Sequence, residues 1–208
     1  SDGAFAATGA LQYLSTQHSV QPIAEFDPDQ VYSYTVTRPL TALSGPGQRV
    51  LHWPLMEWTA LRMPEAPHDL VLLRGPEPDL RWQACVEAAA GFASRLGITQ
   101  VLGLGAFYAQ VPYSGPAFLM GLSANPALRL RLTLLGVRES GYEGPTGFLT
   151  ALVDGTHKAG IPSAAIWAAA PNYLPATSNP RLAAALLAIA ERLLGQPLER
   201  GELEQAGR

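Results

Sequence analysis

The stretch Leu70-Val71-Leu72-Leu73-Arg74-Gly75-Pro76-Glu77-Pro78-Asp79-Leu80-Arg81-Trp82 decides how this chain folds. Leu70–Leu73 is an unbroken apolar run, the pattern of a strand covered on both faces. Gly75 and Pro76 end it. Pro78 and Asp79 predict a helix start, since proline fits the first turn and an acid there complements the helix dipole. Trp82, Cys85, Val86, Ala89, Phe92, Ala93 and Leu96 recur at helical spacing, so one face of that helix is buried. Gly97 stands where a C-terminal cap belongs. A second apolar run, Ile98–Leu104, follows. Strand, helix and strand in this order predict a βαβ unit with two parallel strands. The loops Gly75–Asp79 and Gly105–Pro116 would then leave the carboxyl ends of those strands, the edge at which open α/β sheets bind ligands.

On either side the pattern extends the same architecture. Asp2 precedes Ala6, Ala10, Tyr13 and Leu14 at helical spacing, as a cap would. A chain that opens on such a cap suggests either a missing upstream strand or a ragged N-terminus. Val20–Phe26 reads as a strand, Val31–Thr37 as either a short helix or an extended segment, and Leu55–Met63 as a further strand. Ser44-Gly45-Pro46-Gly47 is a turn between Thr35–Leu43 and Arg49–Trp53. After Pro116 come a short strand, Ala117–Leu122, and a helix opened by Asn125-Pro126 with the stripe Leu128, Leu132 and Leu135. A glycine-rich loop, Ser140–Gly147, leads into a helix carrying Phe148, Leu149, Leu152 and Val153. Pro162–Ala170 is the last strand, and Asn179-Pro180 caps a final helix with Leu182, Leu186, Ile189, Ala190 and Leu193 on one face. Residues 1–195 thus read as one α/β domain, and 196–208 as a charged, peripheral tail.

Composition narrows the function classes. With 208 residues, 48% hydrophobic and 15% charged, the chain is long and apolar enough for a substantial core. A net charge of -3 gives no reason to expect nucleic acid or an anionic membrane as partner. The single cysteine, Cys85, excludes an internal disulfide and fits a reducing compartment. The most apolar stretch, Leu182–Leu194, is too short to span a bilayer and carries Glu191 and Arg192. The expectation is a soluble cytoplasmic protein.

The residues that could carry chemistry are sparse. His18, His52, His68 and His157 show no metal-ligand spacing, so neither a metal nor another cofactor is expected. Ser114, in Tyr113-Ser114-Gly115, lacks the nucleophile elbow of hydrolases. Cys85 lies on an apolar helix stripe, where a thiol packs rather than reacts. Gly103-Leu104-Gly105 lacks the third glycine of a dinucleotide fingerprint, and close packing accounts for it better. The segment Glu143-Gly144-Pro145-Thr146-Gly147 opens a helix whose free amides could take an anion. Glu77, Asp79 and Glu143 could converge as an acid/base group. The competing account has Asp79 capping a helix and Glu77 or Glu143 paired with Arg38, Arg74 or Arg81. Exposed members of the Trp and Tyr set, Tyr142 and Tyr173 among them, would act as interface anchors.

Taken in order, the segments Gly75–Trp82, Leu104-Gly105-Ala106 with Val111-Pro112, Tyr142–Gly147, and Ile166-Trp167 followed by Pro171 and Tyr173 resemble the bacterial branch of the proteasome assembly chaperone 2 family. Arg38-Pro39 also fits. The resemblance covers nearly the whole chain. It implies a three-layer α/β/α sandwich with a mixed, mainly parallel sheet, similar to nucleoside phosphorylases. It also implies homo-oligomers, often trimers, and a link to proteasome assembly in archaeal and eukaryotic relatives. Where bacterial members usually carry His-Thr-Arg and Pro-His-Tyr, this chain has Tyr113-Ser114-Gly115 and Pro171-Asn172-Tyr173. Ser33 stands where an acid is usual. The edge to which the resemblance assigns a ligand or an interface therefore comprises Arg38, Glu77, Asp79, Arg81 and Trp82, then Tyr113 and Ser114, then Tyr142, Glu143 and Thr146, and lastly Asn172 and Tyr173. The expected function is a non-enzymatic, homo-oligomeric binding or assembly protein. The alternative is an enzyme or binder for a small anionic or nucleoside-like ligand.

Overall fold

The computed structural model describes residues 2–174 and 177–207. Helix α1, Ala6–Gln17, buries Ala6, Ala10 and Leu14. Its first turn is held by Asp2, whose two carboxylate oxygens accept the amides of Ala7 and Thr8, each at 2.8 Å. Strand β1 (Ser19–Glu25) and the single turn α2 (Pro28–Val31) follow. Of the segment Val31–Thr37, only Val31 is helical; the rest is extended or turn. Strands β2 (Leu40–Gly45) and β3 (Gln48–His52) form an antiparallel hairpin across the Gly45–Gly47 turn. Strands β4 (Glu57–Arg62) and β5 (Leu70–Arg74) join β1 in an antiparallel sheet of order β1-β4-β5.

Helix α3 spans Trp82–Arg95 and leads to β6, Val101–Ala109. Strand β7 (Leu119–Leu122), helix α4 (Pro126–Leu134) and the short β8 (Arg138–Glu139) come next. Helix α5 (Phe148–Lys158) feeds β9 (Ser163–Pro171), and helices α6 (Pro180–Leu194) and α7 (Gly201–Ala206) complete the chain. The second sheet has order β6-β9-β7-β8. Its β6/β9 and β7/β8 ladders are parallel and β7/β9 is antiparallel, so it is mixed and mainly parallel.

The strand, helix and strand of the opening stretch all form, but the parallel pair does not. β5 pairs with β4 and β6 pairs with β9. An apolar run specifies a strand with two covered faces; its hydrogen-bonding partner is whichever edge the tertiary arrangement brings alongside. The helix start also shifts: α3 begins at Trp82, because Arg81 sits in the left-handed region at φ 54°.

Helices lie on both faces of β6. Leu102 and Leu104 pack against the core cluster that contains Leu186 and Leu193 of α6. Residues of the other parity, Gly103 and Gly105, face Leu149 and Val153 of α5. A methyl at Gly103 would stand 2.6 Å from Leu149, and one at Gly105 2.4 Å from the Trp167 ring. The two glycines are therefore packing positions, where absent side chains admit a helix and a cross-strand tryptophan. The same contacts set direction: α5 runs antiparallel to β6, so its N-terminus reaches the carboxyl end of β6 and β9.

Helix α6 is the main lid of the core. Asn179 caps it through the Leu182 amide at 3.1 Å, and Gly195 ends it at φ 71°. Leu186 and Leu187 are fully buried, each contributing roughly 1.5–3 kcal/mol by burial. The segment after Gly195 is anchored: Gln196 and Leu198 are buried, and Leu203 of α7 packs against the same cluster.

Candidate functional site

Two groups of the expected edge residues come together, each around a loop. The first centres on Gly75–Arg81. Gly75 has φ 151°, and a Cβ there would lie 2.4 Å from the Leu55 carbonyl oxygen, so only glycine lets the chain leave β5 so close to the strand beside it. Glu77 then reaches 71 residues along the sequence: its Oε2 accepts the backbone N–H of Phe148 at 3.1 Å, at the first residue of α5. Glu77 is exposed overall, and the partial desolvation of its carboxylate opposes ionisation, yet hydrogen bonding, the Phe148 amide among the donors, holds it below the usual glutamate range. The anion position at the N-terminus of α5 thus carries the protein's own carboxylate.

Asp79 does not cap α3. Its Oδ2 accepts the Ser33 amide at 2.9 Å and its Oδ1 the Thr37 hydroxyl at 3.1 Å. In return the amides of Asp79 and Leu80 donate to the Val31 carbonyl at 2.9 and 3.0 Å. The Tyr32 hydroxyl donates to the Pro76 carbonyl at 2.9 Å. Burial first, and the Asp79 charge second, push that phenol up to about 12. The loop is thereby sewn to the segment that leads into the β2–β3 hairpin.

The predicted arginine–glutamate pairs are not the ones that form. Arg74 pairs with Glu57 at 2.9 Å, and Arg81 donates to the Gln30 side chain at 2.7 Å. Arg38 and Glu143 are exposed, with no ion pair among the described residues. Trp82 donates its indole N–H to the Pro78 carbonyl and meets Phe148 edge-on at 5.5 Å. Around the opposite loop, the Tyr142 hydroxyl donates to the Pro145 carbonyl at 3.0 Å. Thr146 is exposed on the same loop, directly before Gly147 and the α5 N-terminus. The Gly75–Arg81 and Ser140–Gly147 loops therefore meet where Glu77 caps α5. Cys85, beneath them, is buried; burial raises its thiol pKa, with Arg81 pulling weakly the other way. That favours the unreactive thiol.

The second group lies at the ends of β6 and β9. The Tyr113 amide donates to the Tyr173 hydroxyl at 2.8 Å, and the Asn172 amide to the Ala109 carbonyl at 3.1 Å. Ser114 is exposed between Tyr113 and Gly115. Arg181, which the sequence reading missed, holds this loop: its guanidinium donates to the carbonyls of Tyr113 and Gly115 and lies 5.7 Å from the centre of the Tyr113 ring. Its partners stand 66 and 68 residues away, so no local pattern announces it. Beside it a cavity of about 240 Å³ is lined by Ala4, Tyr113, Pro171, Thr177, Ser178 and Asn179. Among the described residues no group of three or more His, Cys, Asp and Glu could hold a metal ion. No helix among them is long and apolar enough to cross a membrane.

Comparison with known proteins agrees with this geometry. A model of the PAC2 family matches residues 2–208. A PAC2 family protein from Streptomyces avermitilis is 34% identical, with a TM-score of 0.89 over 100% of this chain and 87% of its own. A proteasome-assembly chaperone homologue from Mycobacterium tuberculosis is 31% identical, with a TM-score of 0.90 over 99% and 86%. An archaeal proteasome activator from Pyrococcus furiosus, 15% identical, shares the fold with a TM-score of 0.71 over 100% and 86%. No curated protein matches. The family match runs through both loop groups and through the segments that first suggested the resemblance, and the chain belongs to the PAC2 family.

Proposed function

We propose that this protein is a non-enzymatic, homo-oligomeric binding or assembly protein of the cytoplasm, whose partners are proteins. One observation carries the reading: two of the three candidate carboxylates are engaged in holding the fold, and the third, Glu143, is exposed on the Ser140–Gly147 loop. Glu77 caps α5 and Asp79 ties down the Ser33–Thr37 segment. The large side chains that the same edge exposes to solvent include Tyr113, Tyr142 and Tyr173, residues that serve as anchors in protein interfaces. The relatives described as a proteasome-assembly chaperone homologue and a proteasome activator support a protein partner, with proteasome subunits first to test. Light scattering at micromolar concentration is the primary test. A stable oligomer, a trimer first among those the family suggests, is expected; a monomer overturns the reading.

The cavity lined by Tyr113, Thr177, Ser178 and Asn179 supports a second reading, a small anionic or nucleoside-like ligand. Its volume lies below the roughly 300–1,000 Å³ of ordinary ligand pockets, which ranks this reading second. A thermal-shift screen with phosphate, nucleosides and nucleotides tests it. A rise in Tm at millimolar ligand would support it, and an unchanged Tm would dismiss it.

A further inference from the structure

The β2–β3 hairpin stands apart from both sheets. Among the described residues its strands pair only with each other, and every residue of them except Gly45 is exposed. The ladder pairs Ala42 with Val50 and Leu40 with His52 on one face, and Thr41 with Leu51 and Leu43 with Arg49 on the other. Leu40 and Leu43, on opposite faces, are 71% and 72% exposed, and Leu51 is 55% exposed. Both faces of the hairpin thus present aliphatic side chains to solvent. At its root, Val36 and Trp53 continue the apolar surface, with Trp53 edge-on to Tyr34 at 4.9 Å. Asp79 clamps that root through Ser33 and Thr37.

A free two-stranded ribbon is marginally stable in water. One that is apolar on both faces and rigidly rooted is built to be covered. The open surface of Val36, Leu40, Leu43, Val50, Leu51 and Trp53 is on the order of 700 Å² per chain, close to the roughly 800 Å² per partner of a standard interface. We infer that the hairpin is the self-association arm of this protein and that its occupant is a second copy of this chain. A small ligand cannot cover two opposite faces of a ribbon. With only Arg49 and His52 charged or titratable along it, the arm has little with which to select a partner electrostatically. Permanent cover of a largely apolar surface is the mark of an obligate interface, and a copy of the same chain is the one partner always present in matched amount. This inference rests on the homo-oligomeric reading above and names the surface that produces it.

The test compares three proteins by light scattering at micromolar concentration: the wild type, Leu43→Asp/Leu51→Asp on the arm, and Leu130→Asp/Leu134→Asp on the exposed apolar face of α4. The expected result is an oligomer for the wild type and the α4 variant, and a folded monomer of 22.1 kDa for the arm variant. A wild-type monomer overturns both this inference and the homo-oligomeric reading. An oligomeric arm variant overturns the arm alone and leaves that reading standing. Dissociation of the α4 variant as well overturns the arm's specific role. Hydrogen exchange on the wild type covers the case in which the arm variant fails to fold. Amides 40–52 should be protected at high concentration and lose protection on dilution through the dissociation range. Fast exchange of the hairpin within the intact oligomer overturns the inference.

Discussion

Replacing Glu77 by alanine removes the one side-chain acceptor seen on the Phe148 amide at the start of α5. Losing a helix N-cap costs about 1 kcal/mol, within a range of roughly 0.5–2, and the favourable charge at a helix N-terminus contributes about 0.3–1 kcal/mol. These overlap, so Glu77→Ala should destabilise the protein by about 1–2 kcal/mol. For a chain of this length that is a fall in Tm of about 2–8 °C, at ~2–4 °C per kcal/mol. Glu77→Gln keeps an acceptor oxygen and loses the charge, and should fall between the two. The pH dependence reads the contribution of the carboxylate's charge. The folded carboxyl titrates below its unfolded value, so its stabilisation is fully present above the unfolded glutamate range near about 4.3 and disappears as pH falls through the folded value. Urea unfolding of wild type and Glu77→Gln at a series of pH values reads this directly. The gap should be constant from pH 7 to pH 5 and shrink on further acidification. A gap that widens on acidification, or a Glu77→Ala variant within ~0.3 kcal/mol of wild type at pH 7, would refute the cap.

Three further outcomes follow from contacts elsewhere. Asp79→Ala should destabilise by about 1–3 kcal/mol, since two donors lose an ionised acceptor, and the amides of residues 33–37 should exchange faster; unchanged exchange there would contradict the clamp. Gly105→Ala should cost about 1–3 kcal/mol by overpacking against Trp167, with a change in tryptophan fluorescence, and a neutral result would mean that the ring has room to move. The Leu198 amide, hydrogen bonded to Glu191 Oε2 at 3.0 Å, should titrate with a midpoint below free glutamate. The Leu198 amide foremost, and Arg200 after burial's opposing effect, hold that carboxyl down. The tether is therefore present above the unfolded glutamate range and lost as pH falls through the folded value. An NMR midpoint at or above the free value would break this account.

Much of this molecule was legible in its residues. Asn125-Pro126 and Asn179-Pro180 predict helix starts, and both asparagines accept the expected amides at 3.1 Å. Gly97, Gly136, Gly160 and Gly195 adopt the left-handed backbone after the helices they follow. The apolar runs became strands, and the segments that resemble the PAC2 family fall within its match. These are short-range matters: a cap bonds three residues away, a glycine obeys its own φ, and a strand's covered faces show in its own composition.

What the tertiary structure decided is partnership at long range. No local pattern could tell Leu70–Arg74 to pair with β4 and leave β6 to β9, because backbone amides and carbonyls are the same in every strand. The same holds for the acids. Glu77 meets Phe148 across 71 residues, and Asp79 meets Ser33 across 46. Composition identifies a carboxylate. The fold alone determines whether it caps a helix, clamps a loop or stands free.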